Sequence, residues 1–218
     1  MKGLLLGFAL AVLPLCGAQN GTEIAPIALY TQFVAPPPAA VLESLEAEVH
    51  SIMAPMGMKF QWLDLSTDVK QVSVELAVID FKGRCDIAGL MPHDLNPGPL
   101  GWTHISDGVI LPFASVDCEA VRTFIQKELL DTRVEKRAAT FGRALGRVLA
   151  HELYHIFGNT TRHGSNGVAR EFYSIRDLMA SDFQFQARES QVLLHSKAYA
   201  ALTAGSPTLA AEEPEHWD

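Results

Sequence analysis

The chain has 218 residues, 48% of them hydrophobic and 19% charged, with 17 basic and 25 acidic residues and a net charge of −8. This much apolar content excludes a disordered or low-complexity protein, and the length suits one domain. The acidic balance argues against a general nucleic-acid binder, whose phosphate contacts need a lysine and arginine surplus.

The N-terminus opens with Lys2 and an apolar run over residues 4–15, then Cys16-Gly17-Ala18. A basic start, a short apolar core and a small-residue exit are the parts of a secretory signal peptide. The run is about 12 residues, where a membrane span needs about 20. Residues 1–18 are therefore expected to be a cleaved signal, and the mature chain to be secreted or periplasmic without stable membrane insertion. Losing Lys2 leaves 16 basic against 25 acidic residues, a net charge of −9. Cys16 leaves with the signal, so Cys85 and Cys118 remain. Two cysteines in an exported chain most simply pair in one disulfide.

Along the mature chain, residues 27–34 read as a first strand, broken by Pro36-Pro37-Pro38. Residues 39–53 carry apolar side chains at helical spacing, ended by Pro55 and Gly57. Residues 58–65 and 72–81, rich in β-branched and aromatic side chains, read as strands. A loop over residues 83–101 leads into two short strands, 101–105 and 109–113, around Ser106-Asp107-Gly108. One helix is expected over 119–130, a long one over 133–157, a loop over 159–172 and a last helix over 188–203. The tail 210–218 has four acidic residues and no lysine or arginine, the composition of a disordered end. Residues 19–209 are taken as one domain.

The long helix ends in His151-Glu152-Leu153-Tyr154-His155. Positions i and i+4 of a helix share a face, so both imidazoles can close on one metal ion. Glu152 stands about 100° around the helix from His151. A carboxylate there can take a proton from water that the metal has acidified. The bland alternative is a surface helix with two solvated histidines. Zinc needs a third protein ligand and an open position. Gly158 suits a left-handed turn back toward the metal, and His163 is the nearest strong ligand type beyond it. Glu171, Asp177 and Asp182 compete for that place. Met179 follows the loop.

These residues resemble the metzincin clan of zinc metallopeptidases, whose pattern is H-E-x-x-H-x-x-G-x-x-H followed by a Met-turn. His151, Glu152, His155 and Gly158 match position by position, and Met179 matches the turn methionine that lies beneath the metal. The resemblance implies an α+β, zincin-like fold: a mixed twisted β-sheet with an active-site helix, Met-turn and C-terminal helix. It implies Zn2+ on His151 and His155, with Glu152 as general base. The clan's third histidine position is Thr161 here, and His163 stands two residues later. The clan's tyrosine two residues after the methionine is replaced by Ser181. Gly101, Trp102, Thr103 and His104 would form an edge strand that binds a peptide or protein substrate by β-addition. Residues 181–186 would wall a substrate pocket, and Asp177 is expected to accept hydrogen bonds from turn amides. Three functions fit: a secreted zinc endopeptidase, a zinc hydrolase of another type with Glu171 or Asp182 as third ligand, and a non-catalytic zinc-binding module.

Overall fold

A computed structural model describes residues 27–67, 73, 75–90 and 98–204. The expected signal, the acidic tail and the start of the strand expected over 72–81 lie outside these residues. Five strands form one mixed sheet in the order β2-β1-β3-β5-β4: β1 (Ile27–Phe33), β2 (Phe60–Asp64), β3 (Leu76–Lys82), β4 (Gly101–Ser106) and β5 (Val109–Asp117). Strands β2, β1, β3 and β5 run parallel, and β4 is the antiparallel edge strand. This is the expected α+β arrangement. Among the described residues no helix is long and apolar enough to cross a membrane.

Helix α1 (Ala39–Met53) has the expected bounds, because Val41, Leu45, Val49, Ile52 and Met53 make one buried stripe. The helix expected over 119–130 is two, α2 (Cys118–Phe124) and α3 (Gln126–Asp131). The break falls at Ile125, whose backbone leaves helical geometry while its side chain is buried in the core. The last helix is likewise broken into α6 (Ala187–Leu194) and α7 (Lys197–Ala204). There Ser196 Oγ accepts from Tyr199 N at 3.1 Å and caps the second piece. Strand β5 runs four residues further than expected, to Asp117.

The β4–β5 pairing loses register between Thr103 and Ile105. Thr103 faces Ala114 and Ile105 faces Ile110, so three residues of β5 oppose His104. Pro112 lies among those three, and a proline has no N–H to give the ladder. Cys85 and Cys118 form a disulfide that ties the chain leaving β3 to the start of α2.

Helix α4 (Val134–Gly158) runs through the middle of the molecule and is almost wholly buried from Phe141 onward. It packs against α1 so closely that Gly142 and Gly146 have no room for a side chain. A Cβ at Gly142 would stand 2.2 Å from Val41 O, and one at Gly146 2.8 Å from Leu45 O. Each glycine costs the helix about 1 kcal/mol relative to alanine, and the close crossing offsets that cost. Gly142→Val is expected to destabilise the fold by about 3 kcal/mol through overpacking, read as a lower denaturant midpoint. An unchanged midpoint would mean that α1 and α4 do not meet at this residue.

Candidate metal centre

The last two turns of α4 carry His151, Glu152 and His155, all buried. The helix ends where Asn159 takes the left-handed conformation (φ 45°). Gly158, expected to make that turn, remains helical. Asparagine tolerates the left-handed region better than most residues, and a Cβ on Gly158 would meet Val192 Cγ1 at 3.0 Å. The chain then doubles back. His155 Nδ1 donates to Thr160 O at 2.7 Å, and Arg162 N donates to Thr160 Oγ1 at 3.1 Å. This turn delivers His163, and Gly164 N donates to Ala169 O at 2.7 Å to pin its far side.

Ligand atoms of His151, His155 and His163 all lie within 4.8 Å of one another. Nε2 of His151 and Nε2 of His155 are 3.1 Å apart. The His163 ring stands 5.3 Å from that of His151 and 4.8 Å from that of His155. Thr161, at the clan's third-histidine position, lines the same cavity. The two extra residues are thus taken up in the turn, and His163 still arrives beside the other two.

The donor set fits zinc. His151 donates from Nδ1 to Val168 O at 2.8 Å, as His155 does to Thr160 O. Both imidazoles are thereby oriented with Nε2 toward the centre. Burial, and next the neighbouring His155, pushes His151 down to about 3. Burial also lowers His155, against the opposing hydrogen bond to Thr160. Both rings are neutral at neutral pH, the form that ligates a metal.

Glu152 faces the edge strand. Thr103 Oγ1 donates to Glu152 Oε2 at 2.8 Å and lies 3.2 Å from the Glu152 carbonyl oxygen. Burial raises the Glu152 carboxyl to about 7, with the Thr103 hydrogen bond pulling the other way. Gly101 makes space for this group: a Cβ there would stand 3.0 Å from Glu152 Oε1 and 2.8 Å from Val148 Cγ1. Two cavities meet at His151 and Glu152. One is lined by Trp102, Thr103, Ile105 and Ile110, the other by Leu100, Phe124, Phe172 and Tyr173.

His104 does not line either cavity. His104 sits at the register break of β4, and its Nε2 lies 3.3 Å from Ser115 Oγ. Glu171 lines both cavities but is outside the three-histidine group. Asp182 is exposed and also outside it. Asp177 is committed elsewhere, closing a capping box with Ser174 at the start of α5 (Ile175–Met179) and pairing with Arg170 at 2.9 Å. Partial burial raises its carboxyl, but the Ser174 hydrogen bonds and the Arg170 charge outweigh that and hold it below the usual range. Met179 ends α5, partly buried against the main core.

Two residues of the site carried no signal that sequence reasoning used. Tyr173 places its hydroxyl 3.1 Å from His151 Nδ1 and donates to Val168 O. Arg147, one turn before His151, is buried and anchors α5. It donates to Asp177 O at 3.1 Å, to Leu178 O at 3.0 Å and to Glu48 Oε1 at 2.6 Å, and it lies 4.7 Å over the Phe183 ring. The available clue is an arginine four residues before His151, on the same face of the helix.

No protein-family model and no curated protein matches the chain. Two solved structures are similar to it. One is a zinc-dependent peptidase from Methanocorpusculum labreanum, with a TM-score of 0.48 and 13% identity over 77% of this chain and 99% of that one. The other is archaemetzincin from Methanopyrus kandleri, with a TM-score of 0.45 and 16% identity over 78% of this chain and 94% of that one.

Proposed function

We propose that the chain is an exported zinc-dependent endopeptidase that holds the metal with His151, His155 and His163 and uses Glu152 as general base. The observation that carries this reading is the convergence of three imidazoles beside a buried carboxylate, directly across from an edge strand. A zinc ion held there supplies Lewis acidity, polarising the scissile carbonyl and lowering the pKa of water.

The other contributions come from the chain itself. Glu152 takes the proton from the attacking water and hands it to the leaving amine. Its carboxylate is buried beside the three histidines, within reach of a water held at the centre. Thr103 keeps the carboxylate pointed at the cleft through its 2.8 Å hydrogen bond. Among the described residues β4 is the edge strand, and its outer backbone N–H and C=O groups can pair with an extended peptide and hold the scissile bond in line with Glu152. Arg147 fixes α5, which ends in Met179, against α4. The apolar side chains of both cavities favour apolar substrate residues on either side of the bond.

The direct test is cleavage of a broad peptide library by the mature protein. Cleavage is expected with zinc, to be abolished by a chelator and to be restored by adding zinc back. A zinc-loaded protein that cleaves no peptide would favour a binding module instead.

A further inference from the structure

The outer nitrogen of His151 has two oxygen neighbours, and only one of them belongs to the backbone. Val168 O lies 2.8 Å from Nδ1, and the Tyr173 hydroxyl lies 3.1 Å from it. The hydroxyl itself donates to the same Val168 carbonyl. We propose that Tyr173 is a positioning residue for His151, its hydroxyl and the Val168 carbonyl together locking the ring that presents Nε2 to the metal.

Each corner of this triangle is fixed by something else. Val168 belongs to a single helical turn, Gly167–Ala169, in the loop after His163. Its N–H donates to Gln184 O at 3.2 Å. Gly167 before it has a φ of +68°, and a Cβ there would stand 2.2 Å from the same Gln184 oxygen. This carbonyl therefore sits in a loop with little regular structure, and a side chain that grips it adds rigidity. The Tyr173 ring packs 5.5 Å from Phe183 and meets the His151 ring edge-on at 5.6 Å. Phe183 in turn lies under Arg147. One wall of the centre thus runs Arg147, Phe183, Tyr173, His151.

His155 needs no such wall. Its Nδ1 donates to Thr160 O, five residues on and part of the turn that ends its own helix. The partner of His151 comes from 17 residues away. The tyrosine's hydroxyl is engaged behind the histidine, on the side away from the converging Nε2 atoms. It acts through His151 and does not take the place of the tyrosine missing after Met179.

This inference rests on the three histidines holding a metal, and its test needs no substrate. Zinc affinity is measured by competition with a chromophoric chelator for wild type, Tyr173→Phe and Tyr173→Leu, and the visible spectrum of each is recorded with cobalt in place of zinc. Removing an outer-shell partner of a metal-binding histidine costs about 10–100-fold in affinity. Tyr173→Phe keeps the ring and the Val168 carbonyl, so a weakening of about 10-fold with an altered cobalt spectrum is expected. Tyr173→Phe with wild-type affinity and spectrum would overturn the proposal, and a weakened Tyr173→Leu beside it would assign the ring a packing role alone. Unchanged affinity with a lowered kcat in Tyr173→Phe would also overturn it, because the hydroxyl would then touch the reacting peptide. A wild-type protein that binds no zinc would overturn the metal reading itself.

Discussion

Glu152→Gln is expected to lower kcat/KM on a cleaved peptide by about 10²–10⁴-fold while the protein still binds one zinc ion per chain. The side chain keeps its size, so Gly101 and Val148 still border it, and Thr103 can still donate to the amide oxygen. What is lost is the capacity to accept and return a proton. Activity is read with a fluorogenic peptide at saturating zinc, and metal content by atomic emission on the same sample. Retained cleavage would remove Glu152 from the mechanism. Lost zinc would mean that the carboxylate is a ligand.

His163→Ala acts on the other half of the site. His163 is exposed, unlike the two helix histidines, and it reaches the centre from a turn. Removing one of three ligands is expected to weaken zinc binding by at least about 100-fold, more than the loss of an outer-shell group. Competition with a chelator measures this without substrate. Unchanged affinity would return Glu171 as the third ligand, since it lines the same cavity. The double variant with Glu171→Ala would then lose the metal.

The three histidines of the candidate centre are legible because their geometry is local. Spacing of i and i+4 on a helix places His151 and His155 without any knowledge of the rest of the fold. His163 was reachable for a related reason: a chain leaving a helix through a left-handed residue can return only a short way along. The turn falls on Asn159 and not on Gly158, a difference of one residue that does not change where the chain goes.

Features that depend on long-range contact were hidden. Thr103 meets Glu152 across 49 positions, and Tyr173 meets His151 across 22. Thr103 is expected on the edge strand but not as a partner of Glu152, and nothing in the linear chain marks Tyr173. Gly101, Trp102 and Thr103 line the cleft as the edge-strand reading expects, and His104, at the break in the β4–β5 register, does not. Helix breaks at Ile125 and His195 were invisible to hydrophobic spacing, which continues through both. The first strand and the first helix are easier, since Pro36 to Pro38 and then Pro55 and Gly57 write their ends in residues that cannot continue them.

An anomalous difference map collected at the zinc absorption edge, on crystals of the zinc-loaded mature protein, tests the centre most directly. One peak is expected, about 2.0–2.1 Å from a ring nitrogen of each of His151, His155 and His163, with the Glu152 carboxylate beside it but not bound. A peak held by Glu171 in place of His163, or no peak at the three histidines, would contradict the assignment.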